Sequence, residues 1–461
     1  MAGGDSGAGR VVVLDVVGLQ PEHVTAERTP ALSELFAESG SLAELEPAFP
    51  ALTVPAQTTL ATGRSPATHG DVASGEYDRE RDAVEFWGRQ RDGRQRLWET
   101  ASDAGRTTGA LCFQHLIGSD ADVAVTPSPI EDEHNDLIEM DCWSRPPDFY
   151  DHLRAKLGHF PLHEYWGPGA DEGASRWILD AAGEAVDRHD PDLLWVYVPH
   201  LDYAGLADGP ESRRFSEALA TVDDMLGAFL ADLRGDDRWA ETAVALVSEY
   251  GFHAVETVAY PNRALRDAGL LAVADDGAGG RDVDLDASAA FAMVDHQLAH
   301  VYADGDAVPA AREALTTLDG VDAVLTNGEK EAWGLEHPNA GDLVLVAEPD
   351  AWFQYYWWTD RADAPSYATR MEIHEKPGFD PCELFSGDDS VVSLDPTRVG
   401  GSHGRVDPET RGALGLAGPA APGIDADPPV DARAVAPTIA ALLGVPEAVD
   451  PDPDVSPVDP I

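Results

Sequence analysis

The sequence predicts an α/β fold, a mostly parallel sheet with helices packed on its faces. Three short apolar runs carry that expectation: 11–18, 193–199 and 242–248 are rich in β-branched residues and too short for helices, as strands buried on both faces are. Between the second and third runs, Pro210 to Leu233 places Phe215, Leu219, Val222, Leu226 and Phe229 at steps of three and four, the stripe of an amphipathic helix. Strand, helix and strand at this spacing imply parallel pairing, and such sheets bind ligands beyond the carboxyl ends of their strands.

The remaining elements follow along the chain. Residues 277–286, glycine-rich and then acidic, read as a hinge into an inserted region. Beyond it, 291–303 and 342–347 read as strands, and the aromatic run 352–358 suits a cap or a substrate wall. A helix is expected from Ala434 to Leu443, and Pro446 to Ile461, dominated by Pro and Asp, shows no packing pattern. The expected division is a core of 1–275 and 395–445, an inserted cap of 276–394, and a flexible acidic, Pro-rich tail of 446–461.

Charge narrows the function classes. Among 461 residues, Lys and Arg number 31 against 84 Asp and Glu, a net charge of −53. No basic cluster is present to hold a polyanion, so nucleic acid as a scaffold and anionic membrane are both poor partners. The acidic residues are spread along the chain, which in dilute salt would strain a compact fold by self-repulsion. In molar salt the screening length falls to about 3 Å, and such a surface is tolerated. The expectation is a salt-adapted, halophilic type of surface. Cys112, Cys142 and Cys382 have no paired spacing, which fits a reducing cytoplasm. No run of 18 apolar residues appears, so no membrane span is expected.

The chemistry concentrates in 49–63, Phe-Pro-Ala-Leu-Thr-Val-Pro-Ala-Gln-Thr-Thr-Leu-Ala-Thr-Gly. Pro55 favours a first helical turn, which sets the Thr53 hydroxyl at a positive helix end suited to a phosphoryl group. A lone Thr-x-Pro would read as a simple N-cap. The longer string resembles the nucleophile segment of the alkaline phosphatase superfamily, in its nucleotide pyrophosphatase/phosphodiesterase and phosphonoacetate hydrolase branch. The resemblance implies a three-layer α/β sandwich and a threonine that attacks phosphorus.

It also implies metal ligands at four further stations, several of them altered. Where the family carries Asp-Gly-Leu, this chain has Val17-Gly18-Leu19, with Asp15 as a substitute on the same strand face. In Pro199-His200-Leu201-Asp202 the Asp matches, but the family histidine is Leu206; His200 is the candidate replacement, with a strand-end hydrogen-bonded histidine as its equal alternative. Ser248-Glu249-Tyr250-Gly251 stands for Ser-Asp-His-Gly, keeping an oxygen donor at Glu249. Ser402-His403-Gly404 is intact. His296, read with His300 on one face of a continuous strand, is a further candidate ligand, with a packed strand histidine as its equal alternative.

The site expected is therefore Thr53 as nucleophile, a metal set drawn from Asp15, His200, Asp202, Glu249, His296 and His403, and substrate contacts from Tyr250, His374 and Arg405, the last with a surface ion pair as its equal alternative. One or two divalent ions, zinc or manganese, would suit His and carboxylate donors. The activity implied is metal-dependent hydrolysis of a phosphodiester, pyrophosphate or phosphonate bond in a small phosphoester or nucleotide. The rival is a degenerate site that binds a ligand or partner without turnover.

Overall fold

A computed structural model describes residues 7–81, 83–86, 95–132, 137–277, 280–372, 374 and 376–461. Its main sheet contains β1 (Arg10–Val16), β2 (Ser41–Glu46), β3 (Thr108–Leu111), β4 (Val123–Pro127), β5 (Cys142–Arg145), β6 (Leu193–Val198) and β7 (Thr242–Val247). A second sheet is built from β8 (Ala290–Asp295), β9 (Leu298–Ala303), β10 (Val321–Leu325) and β11 (Leu343–Ala347). The chain then returns to the main sheet with β12 (Gly412–Ala417) and β13 (Val430–Asp431), giving the order β13-β2-β12-β7-β1-β6-β3-β4-β5.

The three apolar runs of the sequence are the centre of that sheet. Strand β1 pairs in parallel with β6 and β7, Val13 lying opposite Trp195 on one side and Ala245 on the other. Every residue of the three strands is buried, so their carboxyl ends open at one edge of a fully covered sheet.

Two groups of helices cover the faces. Pro30–Ser39, Glu172–His189 and Arg213–Gly235 pack on one another, while Thr53–Thr62, Leu97–Asp103 and Val435–Leu442 form the other group. Both groups reach β6 and β3, which sets them on opposite faces and makes the fold the expected three-layer α/β sandwich. The Arg213–Gly235 helix buries all five apolar residues of its predicted stripe. It also caps a neighbour. The Asp223 carboxylate accepts from the Ala31 and Leu32 N–H groups at 2.8 and 2.9 Å, supplying the acceptor that the Pro30–Ser39 helix lacks at its own N-terminus.

The second sheet runs β8-β9-β11-β10 and is antiparallel throughout. The stretch expected as one continuous strand is instead a hairpin. Asp295 pairs with Leu298, and His296 takes φ +57 at the turn, so the expected alternation of faces ends there. The expected hinge is likewise a hairpin, Val273–Asp275 pairing with Arg281–Val283; residues 278 and 279 of that expectation lie outside the described residues. The aromatic run 352–358 is not a wall of the large cavity described below. It is buried: Phe353, Tyr355, Trp357 and Trp358 belong to the apolar cluster inside the second sheet's layer.

The closing stretch lies against the core rather than apart from it. Asp452 is buried and accepts from Ser65 N (2.9 Å) and Thr68 Oγ1 (2.8 Å), while its own N–H donates to Gly63 O (3.0 Å). Val458 N donates to Thr438 Oγ1 (2.9 Å). Prolines fix the backbone of this segment, and the carboxylate finds the backbone donors its composition did not advertise.

Candidate active site

Parallel pairing of β1, β6 and β7 brings Asp15, Asp202 and Glu249 to one edge of the sheet. Asp15 and Glu249 meet directly and are fully buried. Both Asp15 oxygens and Glu249 Oε2 lack a hydrogen-bond donor. Two facing carboxylates bond only through a proton, and desolvation pushes Asp15 up to about 8 and Glu249 well above the usual carboxylate range. Burial thus favours the protonated form of the pair near neutral pH. Desolvation also pushes Asp202 up to about 7.

Thr53 opens a ten-residue helix whose N-cap is Leu52, so its hydroxyl does not cap the helix. It exchanges a 2.8 Å hydrogen bond with the Tyr250 hydroxyl instead. Tyr250 is wholly buried, its phenol is pushed well above the usual range by desolvation, and its ring stacks on His403 at 4.0 Å. Tyr250 therefore holds Thr53 from behind and does not line the cavity, contrary to the substrate contact expected of it. One turn along, Gln57 donates to Glu249 Oε1 at 2.9 Å and accepts from Gln114 N at 2.8 Å.

His403 hydrogen-bonds Ala51 O through Nδ1 at 2.8 Å, which assigns that nitrogen as the donor and leaves Nε2 with a lone pair, 4.0 Å from Asp202 Oδ1. Burial lowers it to about 3, so it is neutral. His296, at the hairpin turn of the second sheet, packs tilted against it with ring centroids 3.8 Å apart, and also packs tilted against Phe379 at 4.2 Å. The turn is tied in place, Gln297 N donating to His403 O at 2.9 Å.

Two expectations fail on geometry. His200 is not at a strand end beside Asp202; it starts the helix His200–Asp208, and the charges that act on it are Asp171, Glu172, Arg176 and Arg214, away from the cluster. A helix turns about 100° per residue, so positions two apart face different ways. Arg405 pairs with Asp407 (2.7 Å) and Asp322 (2.8 Å) and is committed to them. His374 reaches the cavity, its Nε2 3.2 Å from Glu131, which also lines it.

The cavity has a volume of about 1700 Å³. Thr53, Asp202, Tyr197 and Tyr203 line it from the sheet edge, and Asn339, Met371 and Phe379 line it from the opposite side. Sequence reasoning missed Gln57, whose signal was a polar residue one turn after Thr53 on an otherwise apolar face. It also missed the wall Phe113-Gln114-His115, which has no periodicity; His115 sits at φ +55, a conformation rare for a non-glycine residue.

The donors do not fit the two-metal arrangement that the resemblance implies. Asp15 with Glu249, and Asp202 with His403, form two separate pairs, and the places of the missing ligands are taken by Val17, Leu206 and the Thr53-bonded Tyr250. Among the described residues no three His, Cys, Asp or Glu converge as a catalytic zinc requires.

The family model of type I phosphodiesterase/nucleotide pyrophosphatase matches residues 11–380. An uncharacterised pyrophosphatase/phosphodiesterase of Schizosaccharomyces pombe is 22% identical over 241 residues, 52% of this chain and 44% of the relative, so the chain spans less than half the length of that curated relative. Two solved structures share the fold. Inactive murine ectonucleotide pyrophosphatase/phosphodiesterase 5 in complex with AMP superposes with TM-score 0.59 at 16% identity, covering 94% of this chain and 95% of the other. Phosphonoacetate hydrolase from Sinorhizobium meliloti with phosphonoformate gives 0.60 at 15%, covering 96% of each.

Proposed function

The chain belongs to the type I phosphodiesterase/nucleotide pyrophosphatase family, and from that premise we propose that it hydrolyses a phosphodiester, pyrophosphate or phosphonate bond in a small molecule, with Thr53 as nucleophile. The observation that carries the reading is the placement of Thr53. Its hydroxyl is at a helix N-terminus, is held by Tyr250, and opens into a cavity that Asp202 also lines. The helix end favours the phosphoryl oxygens. With Tyr250 donating to Thr53 Oγ1, the threonine's own hydrogen is free for a base, and Asp202, poised near neutral pH, is the group able to take it. Oγ1 attacks phosphorus, the bond from phosphorus to the leaving group breaks (P–O in an ester or anhydride, P–C in a phosphonate), and the departing atom takes the proton that Asp202 received from Thr53. Water then cleaves the phosphothreonine.

No step here passes through a metal, because the side chains do not form the family set. The same substitutions favour a second reading, in which the cavity binds a phosphoester without turning it over. Acid-quenching the protein after brief incubation with phosphorus-labelled substrate separates the two. Covalent label on Thr53 supports the hydrolase; saturable binding with no label and no product supports the binding protein.

A further inference from the structure

On a chain with 84 acidic and 31 basic residues, an arginine should rarely lack a carboxylate. Most do not: Arg433 engages Asp431, Asp452 and Asp454, and Arg238 engages Asp190, Asp192 and Glu241. Three arginines break this pattern at one place. Arg263, Arg361 and Arg398 line a cavity of about 400 Å³ beside the second sheet, and none has an ion-pair partner among the described residues.

Their contacts are neutral. Arg361 donates to Ser390 Oγ at 3.2 Å and Arg398 to Ser386 O at 2.9 Å. The Arg263 guanidinium lies 3.7 Å over the Tyr260 ring, with its Nε buried and lacking an acceptor. Two carboxylates do line the cavity, but Asp395 Oδ1 is taken by Thr397 N and Oγ1, and Asp388 is exposed at the rim. Behind the arginines, Tyr356 and Trp358 are buried and stacked at 4.3 Å, giving a rigid apolar back wall. Ser386 lines both this cavity and the large one, so the two abut.

We propose that this cavity is a second oxyanion site, separate from Thr53, that takes a phosphate-type group. Planar guanidinium forks bind tetrahedral oxyanions through charge-assisted pairs, and the serine hydroxyls add neutral donors. The group is either free phosphate or the phosphate of an organic ligand.

Calorimetric titration of the full chain at constant ionic strength tests it, with inorganic phosphate as the first probe and AMP as the second. Wild-type protein should bind phosphate saturably, and Thr53→Ala should bind it equally well. Arg361→Gln with Arg398→Gln should weaken binding at least about tenfold, the loss of one strong charge-assisted contact. Both arginines are exposed, and Arg361→Lys, which keeps the charge but not the fork, should give an intermediate loss should the double variant fold poorly. AMP that competes with phosphate and binds more tightly identifies an organic ligand as the source; AMP that does not compete identifies the free anion. The proposal is overturned by unsaturable heats with phosphate, by full affinity in the arginine variants, or by loss of phosphate binding in Thr53→Ala.

Discussion

At the carboxyl edge of the main sheet, buried carboxylates gather with no cation beside them; in the cavity beside the second sheet, arginines gather with no ion-paired carboxylate. The two departures have different meanings on this chain. Carboxylates are abundant, so an unpartnered one can be met by a proton, which burial favours on the Asp15–Glu249 pair. Cations are scarce, and carboxylates surround the whole molecule. An arginine left without one has no carboxylate at ion-pair distance among the described residues, and three such positions in one cavity make a surface suited to an added anion.

The largest expected effect falls on the first region. Thr53→Ala should lower turnover by at least about a thousandfold, as loss of a covalent nucleophile does. It should cost only about 0.5–1.5 kcal/mol of stability, the hydrogen bond to Tyr250. Rates on a panel of bis-aryl phosphate, dinucleotide and phosphonate substrates, with urea melts of both proteins, check this. Equal rates would remove Thr53 from the chemistry.

Asp202→Asn should remove the ascending limb of the rate profile near pH 7, since the wild-type carboxyl must lose its proton to act as a base and is held at about 7. A pH series of kcat/KM reads the limb directly. A wild-type profile flat from pH 5 to 8 would assign the proton transfer elsewhere.

Burial of the pair makes a stability prediction of definite sign. The folded value of Asp15 is raised, so its contribution is complete below its ordinary value of 3.8 and is lost as pH rises toward about 8. The melting temperature of wild type relative to Asp15→Asn should therefore fall between pH 4 and 8. A difference that is constant across this range would mean that the pair shares no proton. His403, lowered to about 3, acts oppositely, its stabilisation being lost as pH falls from 6.5 toward 3, but it is common to both proteins and cancels.

Two milder effects sharpen the contrast. Zinc content after purification should be well under two ions per chain, because each surviving donor pair is one ligand short of a three-ligand catalytic zinc site. Raising KCl to molar levels should raise the melting temperature while weakening phosphate binding at exposed Arg361 and Arg398, and should leave the buried-pair pH response unchanged. A flat melting temperature would reject salt adaptation of the surface.

What could be read from the chain follows its physics. Strands β1, β6 and β7 were legible because a strand covered on both faces must be apolar throughout, and the Arg213–Gly235 helix because one face must be. Thr53 was legible through its string. His200 was not, because the backbone leaves the strand at Pro199 and turns helical with no change in hydropathy. His296 misled because its hairpin turns without Gly or Asn, so Phe291 to Tyr302 reads as one alternating strand. Asp15 and Glu249 were legible only as members of one ligand set; their direct meeting and raised pKa depend on a depth of burial that spacing does not encode.

The clasp of Asp452 on the end of the Thr53 helix sets a clock on the making of the site. Ser65 and Asp452 are 387 positions apart. At roughly 5–20 residues per second, a ribosome needs on the order of 20–80 s to deliver the second after the first. For that interval the segment of the Thr53 helix lacks the acceptor for Ser65 N and Thr68, and lacks the β12 strand of the main sheet. The packing at the far end of the Thr53 helix is thus among the last parts of the molecule to be completed, long after Thr53 itself has been made.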